Sequence, residues 1–365
     1  MKIAQVAPLY ERVPPQLYGG TERVVSYLTE ELVRQGHEVT LFASGDSITS
    51  AELVPICANA LRLDDSVIDP LAYHVLQLER VFCRAGDFDI IHFHTDYLHF
   101  PLSRLFMEPH ITTLHGRLDL PDLVPLYRVF GDMPTVSISA AQQEPLPWIN
   151  WQGTVYHGLP LDLYRSYPEP GEYLAFLGRI SPEKRVDRAI EIAVRLDMPL
   201  KIAAKVSKAD RDYFEVEIRP LLAHPLVDFV GEIGEAEKND FLGNAYALLF
   251  PIDWPEPFGL TMIEAMACGT PVVAFSCGSV PEIVDPGVTG FVVDSMDEAA
   301  QATLDVSSLS REGCRQTFEE RFSAKRMAED YVAIYQSILQ GMEAPGDLFQ
   351  QLVERLACSS PLQIK

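Results

Sequence analysis

At 365 residues the chain is too long for one ordinary domain and long enough for two, each with a core of its own. A net charge of −23 excludes the basic stripe that nucleic acid requires and works against an anionic membrane surface. With no long apolar run and no signal-peptide pattern, a soluble cytoplasmic protein with a small-molecule partner is expected.

In chain order, KIAQVA (2–7) and EVTLFA (38–43) are short apolar runs that predict buried strands. Between them GGTERVVSYLTEELVRQG sets Val24, Val25, Leu28 and Leu32 at a helical period and stops at Gly36, where a left-handed C-cap fits. Further strands are predicted at 89–93, 111–115, 134–138 and 153–156, with helical stretches between most of them. After the Pro- and Gly-containing SYPEPGEY (166–173) a second series follows, at 173–180, 199–206, 227–232, 246–251, 271–275 and 290–293. Two β/α series in succession predict an α/β protein of twin Rossmann-like lobes facing one another, with ligands where the carboxyl ends of both sheets open into a shared crevice. A last helix is expected over roughly 323–340 from Met327, Tyr331, Ile334, Tyr335 and Ile338, and Leu348, Leu352 and Leu356 suggest one more short helix in the tail. Cys57, Cys83, Cys268, Cys277, Cys314 and Cys358 are scattered without a Cys-x-x-Cys and read as buried thiols.

The chemistry concentrates on strand-to-helix turns. In LYGGTERVV, Gly19 and Gly20 precede a helix; a phosphate-cradling loop and an ordinary turn both fit. In FLGRISPEKRVDRAIEI, Ser181 suits an N-cap and Pro182 the first helical position, but Arg179 and Lys184 place two cations where the helix dipole opposes them. A bound anion would relieve that conflict; two solvated surface cations are the alternative. Lys205 ends the next strand and adds a third candidate cation. In DWPEPFGLTMIEAMACGTPVV, Thr261 and Glu264 match a capping box, which accounts for both without a ligand. It leaves Glu256, Pro257, Phe258 and Gly259 unexplained. A glycine there lets a phosphate approach main-chain N–H groups, and the nearby carboxylates then belong to sugar or ribose hydroxyls. His92, His94, Asp96 and His99 form a cluster with too few convergent ligands for zinc, and no metal is expected. His115 ends a strand before Gly116, which suits either a cleft side chain or a satisfied core histidine. No serine-hydrolase elbow, P-loop or zinc-protease motif occurs.

Gly-Gly-Thr-Glu, Gly-Arg-Ile-x-x-x-Lys and Glu-Pro-Phe-Gly-Leu-x-x-x-Glu-Ala-Met-Ala-x-Gly-x-Pro-Val-Val, in this order over residues 1 to about 340, make the chain resemble the family 4 retaining glycosyltransferases of the GT-B fold. The resemblance implies an acceptor-side lobe at 1–160, a nucleotide-sugar lobe at 161–322, and a segment from 323 whose helix crosses back to the first lobe. It implies that Arg179 and Lys184 hold a diphosphate, that Glu264 binds ribose, and that Glu256 faces the donor sugar with the N–H groups of Phe258, Gly259 and Leu260. Gly231 to Ile233 would lie near the base, Gly19 and Gly20 would line the cleft, and His115 would sit beside the anomeric carbon. The implied reaction moves a sugar from a UDP- or GDP-sugar, UDP-glucose or GDP-mannose first, to a small soluble hydroxyl acceptor with retention, no metal and no cofactor. A nucleotide-sugar 2-epimerase and a non-catalytic nucleotide-sugar binder are the alternatives. Three departures bear on the donor: Lys184-Arg185 where Lys-Gly is usual, YHGLPLD (156–162) in the linker, and AAKVSK in place of a small Gly-rich segment.

Overall fold

The computed structural model describes residues 1–106 and 108–342; the helix expected around Leu348 to Leu356, and Cys358, lie outside them. Among the described residues thirteen strands form two sheets, and every pairing is parallel. The first sheet comprises β1 (Lys2–Val6), β2 (Glu38–Ala43), β3 (Glu52–Pro55), β4 (Ile90–Phe93), β5 (His110–Thr113), β6 (Thr135–Ser137) and β7 (Trp151–Thr154), in the order β3-β2-β1-β4-β5-β6-β7. The second comprises β8 (Tyr173–Ile180), β9 (Leu200–Val206), β10 (Val227–Gly231), β11 (Ala245–Phe250), β12 (Val272–Phe275) and β13 (Gly290–Val293), in the order β10-β9-β8-β11-β12-β13. Strand order reverses between β1 and β4 in one sheet and between β8 and β11 in the other, so each has a switch-point crevice at its carboxyl edge. β3 was not expected from sequence: ELVP is short and only half buried, as suits an edge strand.

The central strands are apolar runs because helices cover both faces of a parallel sheet. The Gly20–Arg34 helix buries Val24, Val25, Leu28 and Leu32, and Gly36 follows it in the left-handed region at φ 86°. The Ala324–Met342 helix follows the second sheet but packs on the first lobe, with Met327, Tyr331 and Tyr335 buried in one cluster with Val24, Leu28 and Ile3. Each such side chain removed from water contributes about 1.5–3 kcal/mol. No described helix is long and apolar enough to cross a membrane.

Two latches join the lobes beside the cleft. Arg23 in the front helix pairs with Glu235 of the rear lobe. Glu282 of the rear lobe accepts the N–H groups of Ala140 and Ala141 at 2.7 Å each. The cysteines vary more than expected: Cys268 and Cys314 are buried, Cys57 and Cys277 partly so, and Cys83 is exposed.

One helix start differs from expectation. Pro182–Lys184 is a separate 3-10 turn, Arg185 adopts a left-handed φ of 51°, and the regular helix runs only over Val186–Leu196. Ser181 makes no cap hydrogen bond. The left-handed residue explains why glycine suits the position after Lys184, since a side chain there costs about 1–2 kcal/mol. Here Arg185 is held in place by ion pairs to Asp187 and Asp253, each at 2.8 Å.

Candidate functional site

The carboxyl ends of the two sheets face each other across a cleft of about 720 Å³. From the rear lobe β8 delivers Arg179, the 3-10 turn delivers Lys184, and the segment after β11 delivers Trp254, Glu256 and the Leu260–Ala267 helix. That helix begins with Gly259 as its N-cap at φ 84°, where an added Cβ would lie 2.6 Å from Met262 Cε. The capping box is therefore not made. Thr261 already lies inside the first turn with its Oγ1 buried and unpartnered, and Glu264 accepts from Lys238 Nζ at 2.7 Å instead. Glu264 is 1% exposed, and its Oε2 has no hydrogen-bond partner.

Every predicted cation of this wall carries a carboxylate. Lys184 pairs with Glu256, whose Oε2 also accepts from Trp254 Nε1 at 3.0 Å, and its ammonium lies 5.1 Å from the Trp254 ring centre. Arg179 pairs with Glu183 and lies 3.6 Å from Asp210, while its Nε is buried without a hydrogen bond. Lys205 is 3.9 Å from Glu232 and sits over the Tyr18 ring at 5.2 Å. These pairs lie between cleft walls, where solvent screens them less than on an open surface. Gly278 supports the arrangement from behind: its φ is 57°, and a Cβ there would come within 2.4 Å of the Glu256 backbone.

The remaining expected residues divide. Phe258, Gly259, Leu260 and Ile233 line the cleft, whereas Gly231 ends β10 and does not. Gly19 precedes the front helix and Gly20 opens it; a Cβ on Gly20 would meet Leu260 Cδ1 at an ordinary contact distance of 3.6 Å, so the front helix starts beside the rear one. Lys238, Trp254, Glu22 and Asp96 also line the cleft and were not assigned to it from sequence. Lys238 gave no signal there, because it is one charge among many in EAEKND.

His115 follows β5 at the cleft edge, and its tautomer can be derived. Gln5 Nε2 donates to the Tyr335 hydroxyl at 3.3 Å, which leaves Gln5 Oε1 to accept from His94 Nε2 at 2.7 Å. His94 is buried and neutral, its titration pushed well below the ordinary range by desolvation, so its Nδ1 is an acceptor. It takes the Nε2 proton of His115 at 2.9 Å. His115 thus keeps a bare Nδ1, which is buried and unpartnered. Burial pushes its own titration down to about 3, so the ring stays neutral. The ring nitrogens of His92, His94 and His99 all make hydrogen bonds, to Tyr335, Thr113, His115, Gln5, Ser103 and Thr112.

Two facing Rossmann-like lobes with a cation-bearing cleft between their carboxyl edges have the architecture of the GT-B fold. The profile for glycosyl transferases group 1 matches residues 166–322, and that for Glycosyltransferase Family 4 matches residues 18–179. The two together run without a gap from 18 to 322, and the chain belongs to the family 4 type of glycosyltransferase. It is 23% identical over 386 residues to a phosphatidyl-myo-inositol mannosyltransferase of Mycobacterium leprae, covering 93% of this chain and 97% of the relative. In fold it resembles AviGT4, a glycosyltransferase involved in avilamycin A biosynthesis, at TM-score 0.73 and 24% identity over 93% of this chain and 98% of that one. It also resembles Anabaena HepE in complex with UDP and glucose, at TM-score 0.70 and 19% identity over 92% of this chain and all of that one.

Proposed function

We propose that the protein transfers a hexosyl group from a UDP- or GDP-sugar, UDP-glucose and GDP-mannose being the first to test, to a soluble hydroxyl acceptor, with retention at the anomeric carbon and without a metal. The observation that carries this reading is the convergence of Arg179, Lys184 and the glycine-capped start of the Leu260–Ala267 helix on one wall of the cleft. An arginine offers five donors and a lysine three, so both can take phosphate oxygens while keeping their carboxylates. The bond from the anomeric carbon to the phosphate oxygen breaks, and a bond to the acceptor oxygen forms on the same face. The acceptor's proton passes to the departing phosphate, whose growing charge the two cations and the helix start stabilise. Glu256, fixed by Lys184 and Trp254, and the neutral His115 orient the sugar. Glu264 takes the ribose hydroxyls, with its unpartnered Oε2 as acceptor. The UDP complex of HepE, a protein of similar fold, supports the donor class.

The test combines a thermal-shift panel of UDP, GDP and their sugars with turnover of Arg179→Ala and Lys184→Ala. Each variant is expected to lose about 10²–10³ in kcat, and chelator is expected to leave the wild-type rate unchanged. Near-normal turnover in both variants would remove the mechanism. A new sugar nucleotide formed from donor alone would indicate epimerisation instead.

A further inference from the structure

Twelve Asp, Glu, Lys and Arg side chains line the cleft, and ten of them hold an opposite charge within 4 Å. Glu22 and Asp96, both on the front lobe, are the two that form no ion pair among the described residues. Glu22 is in the first turn of the front helix and is 6% exposed; the backbone N–H groups of Glu22 and Glu11 favour its charged form. Asp96 stands two residues beyond His94 at a left-handed φ of 51°, open to the cleft, with the backbone N–H of His115 favouring its charged form. Such a backbone persists where the surroundings enforce it, often at a binding site. Between Asp96 and β4, Thr95 lines the same cleft and has a buried hydroxyl with no hydrogen-bond partner. Tyr10 and Tyr97 add half-open rings. Arg62, the cation whose charge reaches Glu22, is held by Glu11 at 2.9 Å and lies over the Tyr10 ring at 5.7 Å.

We propose that this wall is an acceptor subsite for a neutral, polyhydroxylated molecule, a sugar or polyol without a phosphate, whose hydroxyls donate to Glu22 and Asp96 and bond Thr95. This rests on the glycosyltransferase reading above and names the acceptor class within it. Carboxylates form strong charge-assisted hydrogen bonds with hydroxyl donors. A phosphate has acceptor oxygens and negative charge, so it would face two carboxylates of which neither is held in an ion pair. The preference runs opposite to the acceptor named for the mycobacterial mannosyltransferase, an anionic phospholipid. Burial pushes Glu22 up to about 7, with the Glu11 charge adding to the shift and Arg62 opposing it.

The experiment compares matched acceptors with the donor that binds best: methyl α-mannoside against mannose 6-phosphate, and myo-inositol against its monophosphate. The neutral member of each pair is expected to have at least about tenfold higher kcat/KM. Glu22→Gln and Asp96→Asn are each expected to raise its KM about tenfold and to narrow the gap, while nucleotide-sugar affinity, read by thermal shift, stays within about twofold. Preference for the phosphorylated members, a ratio that neither variant moves, or no use of any sugar or polyol by donor-loaded enzyme would each overturn the proposal. If no nucleotide sugar binds at all, the donor reading fails; direct calorimetric titration of the same pairs then decides the acceptor wall, with the same preference expected.

Discussion

In the Glu22→Gln variant a carboxyl that is only 6% exposed loses its charge and keeps its shape. Burial, reinforced by the charge of Glu11, moves this carboxyl from the ordinary 4.5 up to about 7, with backbone N–H groups and Arg62 pulling the other way. The folded protein therefore holds this proton more tightly than the unfolded chain does. The stability it confers is complete below pH 4.5, is lost as pH rises toward 7, and is absent above that. The displacement corresponds to about 3.4 kcal/mol, of which about 2.5 kcal/mol disappears between pH 5 and pH 8. Glutamine has no such dependence, and every other titrating group is common to both proteins. Urea unfolding at the two pH values should therefore show the variant gaining about 2.5 kcal/mol on wild type as pH rises. Greater stability at pH 8 combined with weaker acceptor use would mark a charge kept for a ligand at the expense of the fold. A stability difference that stays constant within about 0.5 kcal/mol across the range would refute the reasoning.

Lys238→Met leaves the buried Glu264 without its cation and should cost about 3–5 kcal/mol; the double variant with Glu264→Gln should recover most of it, and an equal loss in both would contradict this. Gly278→Ala drives a Cβ into the Glu256 backbone and should lower both stability and turnover, whereas Gly287→Ala, also at positive φ but with open space around it, should cost only about 1 kcal/mol of backbone strain and leave turnover intact. For His115, whose titration is depressed to about 3, the stability is present above pH 6.5 and is lost as pH falls, by about 2 kcal/mol between pH 6.5 and 5. His115→Gln should show a correspondingly shallower loss in urea unfolding over that range; an unchanged slope would mean the ring titrates normally.

The sheets were legible because a strand covered on both faces must be an apolar run, as KIAQVA and AYALLF are, and because each run ends at a turn rich in Gly, Pro or charge. β3 was illegible for the same reason, since an edge strand need not be apolar. Arg179 and Lys184 stood out as cations at what reads as a helix start, although the structure puts a 3-10 turn and a left-handed Arg185 there. Glu256 stood out because no local rule explained it. Thr261 misled: its spacing to Glu264 fits a capping box, but the left-handed Gly259 takes the cap and Lys238, 26 residues away, takes the glutamate. The partners of Gln5, His94 and Asp96 depend on which strands lie side by side. A local pattern carries no information about that, so the histidine chain and the unpaired carboxylates emerge only from the fold.

The two walls of the cleft differ in how they would select a ligand. On the rear wall each cation is tied to a carboxylate, so the charges nearly cancel and what remains is a fixed geometry. Lys184, Glu256 and Trp254 hold one another, and Lys238 holds Glu264. Such an arrangement suits a ligand that is anionic at its phosphates and neutral at its sugar and ribose, because donors and acceptors alternate and reorganise little as charge develops. In a chain of net charge −23, binding an anion needs this local excess of donors, since the far field opposes it. The front wall keeps two carboxylates outside any ion pair among the described residues, and for the buried Glu22 that carries a cost in stability. Selection there would rest on the sign of charge as well as on shape, and a polyol is the neutral ligand that can give each carboxylate a hydroxyl of its own while leaving a further oxygen free to attack.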